Sequence, residues 1–239
     1  MKVTKLTRNP KSPDDIFWDP NAMSLDVSLL EEIDAVVHLA GENISNGRWT
    51  KKQKSKILDS RKQGTKLLSE AIAQLKSPPK ALISASGINY YHLNKDKPYN
   101  ESSSIGSSFL SEVCNEWELS TQSSENAGIR VCHLRIGVVL STEGGALKKM
   151  LLPMRFGLGG VIGSGNQHMS WITLDDLVKI IHSAIVDGNW HGKINAVAEK
   201  PVTNREFTKQ LAKTLKRPAI FPLPSFIAKL LFGQMAQET

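Results

Sequence analysis

The feature that most constrains this chain is the alternation of short apolar runs with longer stretches of helical period. Asp34-Ala35-Val36-Val37-His38-Leu39-Ala40, Lys80-Ala81-Leu82-Ile83-Ser84 and the run from Ile129 to Leu140, interrupted by Arg135 and Gly137, all read as strands rich in aliphatic and β-branched residues. Between the first two, Ile57, Leu68, Ile72 and Leu75 fall on one helical face, and between the last two Phe109, Val113 and Trp117 recur every fourth residue. Strand-helix-strand units of this kind build a parallel sheet covered by helices, with crossovers that are almost always right-handed. Ser77-Pro78-Pro79 stops the first helix and Gly128 follows the second.

The ends are less regular. Val3 to Leu6 reads as a short opening strand. From Gly144 onward the character changes, with Gly157, Gly159, Gly160, Gly163 and Gly165 gathered before Trp171-Ile172. Leu174, Leu177, Val178, Ile181 and Ile185 then mark an amphipathic helix, with Thr173 as N-cap and Asp175 and Asp176 in the first turn. Ile194 to Ala198 is a late strand suited to return to the sheet. Thr203 or Asn204 is placed to cap a helix carrying Phe207, Leu211 and Leu215, and Phe226 to Phe232 reads as a last apolar helix. The division expected is 1–140 for the sheet domain and 141–239 for a smaller, interleaved region.

Composition narrows the class. Of 239 residues 40% are hydrophobic and 22% charged, which excludes a disordered or collagen-like chain. The net charge of +7 is dispersed rather than gathered into a basic tract with interleaved aromatics, so no nucleic-acid partner is expected. Two cysteines, in apolar surroundings, form no disulfide framework or zinc motif, and the histidines show no metal-ligand spacing. No apolar run reaches the ~18 residues of a membrane span, and the expectation is a cytoplasmic protein.

Parallel sheets bind ligands beyond the carboxyl ends of their strands. Arg8, after the first strand, is suited to a phosphate such as the 2′-phosphate of NADP, although a solvated surface arginine reads the same way. Leu39-Ala40-Gly41 closes the next strand with residues that let a nucleotide approach the backbone, or that simply make a tight turn. Ser86, Tyr90 and Tyr91 follow the third strand with hydroxyls and phenols. The glycines from Gly157 to Gly165 read either as a phosphate- or sugar-approaching loop or as a flexible one.

Together, Leu6-Thr7-Arg8-Asn9-Pro10, His38-Leu39-Ala40-Gly41-Glu42-Asn43-Ile44, Arg48-Trp49, Asp59-Ser60-Arg61, Met150-Leu151-Leu152-Pro153, Gly157-Leu158-Gly159-Gly160, Ile162-Gly163-Ser164-Gly165 and Ser170-Trp171-Ile172 resemble the sugar-nucleotide-epimerase-like family of atypical, extended short-chain dehydrogenases/reductases. The resemblance runs along essentially the whole chain. It implies an α/β fold, a Rossmann-type doubly wound parallel sheet binding NADP, with a smaller C-terminal substrate-side region. It implies that Thr7 and Arg8 hold the adenosine-side phosphate, that Leu39, Ala40 and Gly41 line the adenine and ribose, that Arg61 reaches the cofactor, and that Val139 lies near the nicotinamide.

Two departures modify this expectation. Family members open with a strand, a Gly-x-x-Gly-x-x-Gly turn and a helix whose N-terminus receives the pyrophosphate. Here Met1-Lys2-Val3 lines up with the second strand, and Gln237-Glu238-Thr239 ends early. The sheet expected therefore lacks its first strand, glycine loop and helix, which leaves a surface open to self-association. The Tyr-x-x-x-Lys pair of the enzymes is replaced by Phe109 and Val113, neither of which exchanges protons. Ser86, Tyr90 and Tyr91 are left for proton chemistry on a small-molecule, nucleotide-sugar-like substrate. The alternative reading is a non-catalytic remnant or binding module that holds no dinucleotide.

Overall fold

A computed structural model of the protein describes residues 2–92, 98–222 and 224. The helix expected from Phe226 to Phe232 lies outside them. Three short strands open the chain, β1 (Leu6–Thr7), β2 (Ile16–Asp19) and β3 (Ser24–Leu25), followed by a 3-10 turn at Val27–Leu30 and by β4 (Ala35–His38). Then come α1 (Lys51–Ala73), β5 (Ala81–Gly87), α2 (Phe109–Leu119), α3 (Gln122–Asn126) and β6 (Arg130–Ile136). The chain continues through β7 (Val138–Leu140), α4 (Gly145–Arg155), β8 (His168–Met169), β9 (Trp171–Thr173), α5 (Leu174–Val186), β10 (Gly192–Ala196), β11 (Val202–Thr203) and α6 (Asn204–Leu215).

The central sheet is parallel throughout, in the order β10-β6-β5-β4. Helices cover both faces. Leu68, Ala71 and Ile72 of α1 pack on Val36, Leu82 and Val131, while Leu177 and Ala184 of α5 pack with Ala81, Ile83, Cys132 and Leu134. Adjacent residues of β5 thus enter opposite cores, which is why its sequence is apolar without alternation. The late strand expected near Ile194 does return, as β10, to the edge beyond β6. Among the described residues, no helix is long and apolar enough to cross a membrane.

The opening strands form a separate sheet. β1 runs parallel to β2, and β2 antiparallel to β3. No hydrogen-bonded pairing joins β1 to β4, yet Leu6, Leu25 and Ile16 share a core with Val36 and Leu68, so both sheets rest on α1. As an edge strand, β4 leaves Val37 38% exposed despite its apolar composition.

The local signals behave as their chemistry requires. Thr50 caps α1 by accepting from the Gln53 amide at 3.2 Å, and Thr173 caps α5 by accepting from the Asp176 amide at 3.1 Å. Thr203, rather than Asn204, caps α6. The run from Ile129 to Leu140 is two strands instead of one. At Gly137 the chain leaves the central sheet, its amide donating to the Ala196 carbonyl and the Val138 amide to the Ser170 carbonyl, and β7 pairs with β9. A Cβ at Gly137 would stand 2.8 Å from the Ser170 carbonyl oxygen, so this close crossing requires glycine.

Candidate functional site

The register of the central sheet assembles the site. Ser86 of β5 and Asn195 of β10 both pair with Arg135 of β6, which makes one polar row across three parallel strands near their carboxyl ends. Arg135 is fully buried, and a buried guanidinium requires a partner. Glu118, on the inner face of α2, supplies it in a forked pair, accepting from Nε and Nη2 at 2.8 Å each. The Ser86 hydroxyl donates to the same carboxylate at 2.8 Å. The remaining guanidinium nitrogen, Nη1, donates to the Tyr91 hydroxyl at 2.9 Å, and that hydroxyl donates onward to Asn195 Oδ1 at 2.7 Å. The Asn195 amide donates to Glu101 Oε1 at 2.9 Å.

Aromatic rings close over this network. The Arg135 guanidinium lies 3.5 Å from the Tyr90 ring centre, and Tyr99 stacks on Tyr91 at 5.5 Å with ring planes 7° apart. Burial pushes the Glu118 carboxyl upward, but the Arg135 and Ser86 hydrogen bonds outweigh it and hold the group below the usual carboxylate range. Burial raises the Tyr91 phenol, only partly offset by the Arg135 hydrogen bond. Cys114 sits beside Gly87, where burial pushes its thiol up to about 11, so it is a packed thiol rather than a reactive one.

The structure thus brings Ser86, Tyr90 and Tyr91 into a single cluster, with Ser86 4% and Tyr91 6% exposed. Sequence reasoning missed Glu118, Arg135 and Asn195 as members. Arg135 carried a signal, a charge interrupting an aliphatic strand, whereas Glu118 and Asn195 are recognisable only from helix packing and strand register.

A second group surrounds the end of β4. Leu39 is 54% exposed, and Ala40 and Gly41 follow it into the loop. Beneath that loop Arg61 of α1 donates to the Glu42 carbonyl at 2.9 Å and the Ile57 carbonyl at 3.1 Å, with its guanidinium 4.7 Å from the Trp117 ring centre. A Cβ at Gly41 would stand 2.9 Å from Arg61 Cζ, so the glycine lets the loop close on the guanidinium. Thr7 ends β1 and accepts from the Asn9 amide at 3.2 Å, and Arg8 is exposed just beyond. Both belong to the separate three-stranded sheet. Val139, half-buried in β7, pairs with Ile172 and packs on the α5-side core.

Other positions are taken up by packing. Phe109 meets Trp49 edge-on at 5.4 Å, with the Lys54 ammonium 4.7 Å from its ring centre, and Val113 is 2% exposed in the same cluster. The glycine-rich loop has structural neighbours as well. A side chain at Gly159 would overlap Met154, and one at Gly160 would overlap the backbone at Phe221–Pro222.

Comparison with known proteins agrees with this architecture. A model described as the NAD dependent epimerase/dehydratase family matches residues 19–196. An epimerase family protein of Mycobacterium bovis is 39% identical over 233 residues, spanning 98% of this chain and 77% of the relative. The human epimerase family protein SDR39U1 is 39% identical over 236 residues, 98% of this chain and 78% of its own. The crystal structure of that human protein with NADPH superposes with a TM-score of 0.89 at 39% identity, covering 99% of this chain and 79% of that one. A nucleoside-diphosphate sugar epimerase from Corynebacterium glutamicum superposes at 0.78 with 37% identity, covering 99% of this chain and 51% of that one. On its parallel sheet, its strand-end constellation and these matches, the chain belongs to the NAD dependent epimerase/dehydratase family.

Proposed function

We propose that this chain binds NADP(H) across the carboxyl ends of its strands and acts as an epimerase- or oxidoreductase-like protein on a small, nucleotide-sugar-like substrate. The observation that carries the reading is the placement of two chemically distinct groups at the carboxyl end of one parallel sheet, an open Leu39–Gly41 shelf over Arg61 and a polar row centred on Arg135. The donor set fits the adenosine half of a phosphorylated dinucleotide. Arg8 is an exposed guanidinium suited to a 2′-phosphate, Leu39 is an exposed apolar face, and Gly41 keeps the backbone bare. The human relative crystallised with NADPH supports the same assignment.

In this reading Thr7 and Arg8 hold the adenosine-side phosphate, Leu39, Ala40 and Gly41 support the adenine and ribose, and Arg61 fixes the turn beneath them. Val139 lies on the nicotinamide side. When bound, the cofactor supplies or accepts hydride at its nicotinamide ring. Proton handling falls to Ser86 with Tyr90 and Tyr91. Because Ser86 donates its proton to Glu118, its oxygen lone pairs are the part offered to a substrate hydroxyl.

Fluorescence titration tests the reading. NADPH is expected to bind saturably and more tightly than NADH, and Arg8→Ala is expected to reduce that preference about tenfold, the weight of one charge-assisted phosphate contact. Absence of saturable binding by either nucleotide overturns the proposal.

A further inference from the structure

We propose that Glu118 and Arg135 are the positioning residues of this site, Glu118 setting the Ser86 hydroxyl and Arg135 the Tyr91 phenol. The inference rests on the reading of Ser86 and Tyr91 as groups that lie where the nicotinamide and its substrate meet. It begins from how the pair spends its hydrogen-bonding capacity. Two guanidinium nitrogens are satisfied by the two carboxylate oxygens. Of the capacity left over, Glu118 Oε1 accepts from the Ser86 hydroxyl, and Arg135 Nη1 donates to the Tyr91 hydroxyl at 2.9 Å and, at the longer distance of 3.5 Å, to the Glu101 carbonyl. One buried ion pair therefore fixes both hydroxyls, although they come from different segments, the end of β5 and the chain just after it.

The direction of each proton is fixed too. Glu118, an acceptor only, takes the Ser86 proton, and Arg135, a donor only, compels the Tyr91 oxygen to accept, so that the phenol proton points to Asn195. Stability alone does not account for such an arrangement, because a buried ion pair is often no more stabilising than apolar side chains of the same volume. Arg135 also faces the Tyr90 ring, so every phenol near the site is oriented directly by this guanidinium or, like Tyr99, stacked on one that is. The chain contains three tyrosines, and all of them, Tyr90, Tyr91 and Tyr99, lie in this one cluster. Tyrosinate absorbance therefore reports on this site alone.

The test compares the full chain with Glu118→Leu/Arg135→Met, which keeps the volume and removes both charges, and with Glu118→Gln/Arg135→Gln, which removes both charges and keeps hydrogen-bonding side chains. The first variant is expected to unfold cooperatively and to show one of its three phenols ionising at higher pH than in the parent, because a buried hydroxyl has lost its cationic donor. Should this variant lose its cooperative transition, Glu118→Gln/Arg135→Gln carries the same phenol readout. In NADPH titrations Glu118→Gln is expected to weaken binding about tenfold in the parent and by clearly less in a Ser86→Ala background, the mark of two residues coupled through one contact. Phenol titrations identical to the parent, or Ser86 and Glu118 losses that simply add, overturn the proposal. If the unsubstituted chain binds no NADPH, it is the functional reading that fails, and the phenol titration still decides whether Arg135 sets Tyr91.

Discussion

His38, 3% exposed, ends β4 with Nε2 2.9 Å from the Thr65 hydroxyl and Trp18 edge-on at 5.8 Å. Burial, reinforced by the nearby Arg61 charge, lowers its pKa to about 4. Burial likewise lowers His133, against the opposing charge of Glu118. An unfolded histidine takes up its proton near pH ~6.5, so the unfolded state binds more protons than the folded one below that value. Stability is then full above pH ~6.5 and falls as the pH drops toward 4, by up to about 3 kcal/mol for His38. Urea denaturation at a series of pH values checks this, and His38→Gln is expected to flatten the slope in the upper part of that window, above the range where the carboxylates titrate. A histidine inside an apolar run is visible in the sequence, but its depressed basicity follows from α1 covering it.

At the scale of elements, the short segments are held by specific local contacts. The Thr203 hydroxyl accepts from the Glu206 amide at 3.2 Å while the Thr203 amide donates to the Glu206 carboxylate at 2.7 Å, a reciprocal cap that starts α6. Thr203→Ala is expected to cost about 1 kcal/mol, read as a lowered denaturation midpoint. Gly137 has a sharper requirement, since the carbonyl it crosses is backbone and cannot rotate away. Gly137→Ala is expected to cost about 1–3 kcal/mol and to shift the β7–β9 pairing, visible as faster amide exchange at Val138. The sequence marked Gly137 as an interruption in a strand. That the interruption is a change of sheet became evident only with Ser170 and Ala196 in place.

Over the whole molecule, α1 joins two sheets that share no strand pairing. Leu68, 2% exposed, belongs to the one core that holds Ile16 of β2 and Leu30 together with Val36 of β4 and Leu82 of β5. Leu68→Ala is expected to destabilise the protein by about 2–5 kcal/mol. Because one core serves both sheets, tryptophan fluorescence and far-ultraviolet circular dichroism should report a single coincident unfolding transition. Separate transitions would mean that β1–β3 fold independently of the central sheet.

Local periodicity was enough to determine the parallel strands, the crossover helices and the start of α5 at Thr173, because each depends on residues close together in the chain. It also located Tyr90, Tyr91 and the Leu39–Gly41 turn beyond their strands, whereas Ser86, expected just past a strand ending at Ser84, lies within β5, which runs on to Gly87 because its pairing with β6 continues that far. Tertiary structure alone decided which of these act together. Ser86, Arg135 and Asn195 become neighbours through the register of three strands far apart in sequence, and Glu118 joins them only because α2 lays that face on the sheet. A guanidinium without water has to find a carboxylate wherever the fold brings one, and that requirement, satisfied across four elements, makes a site from residues that carry no common signal along the chain.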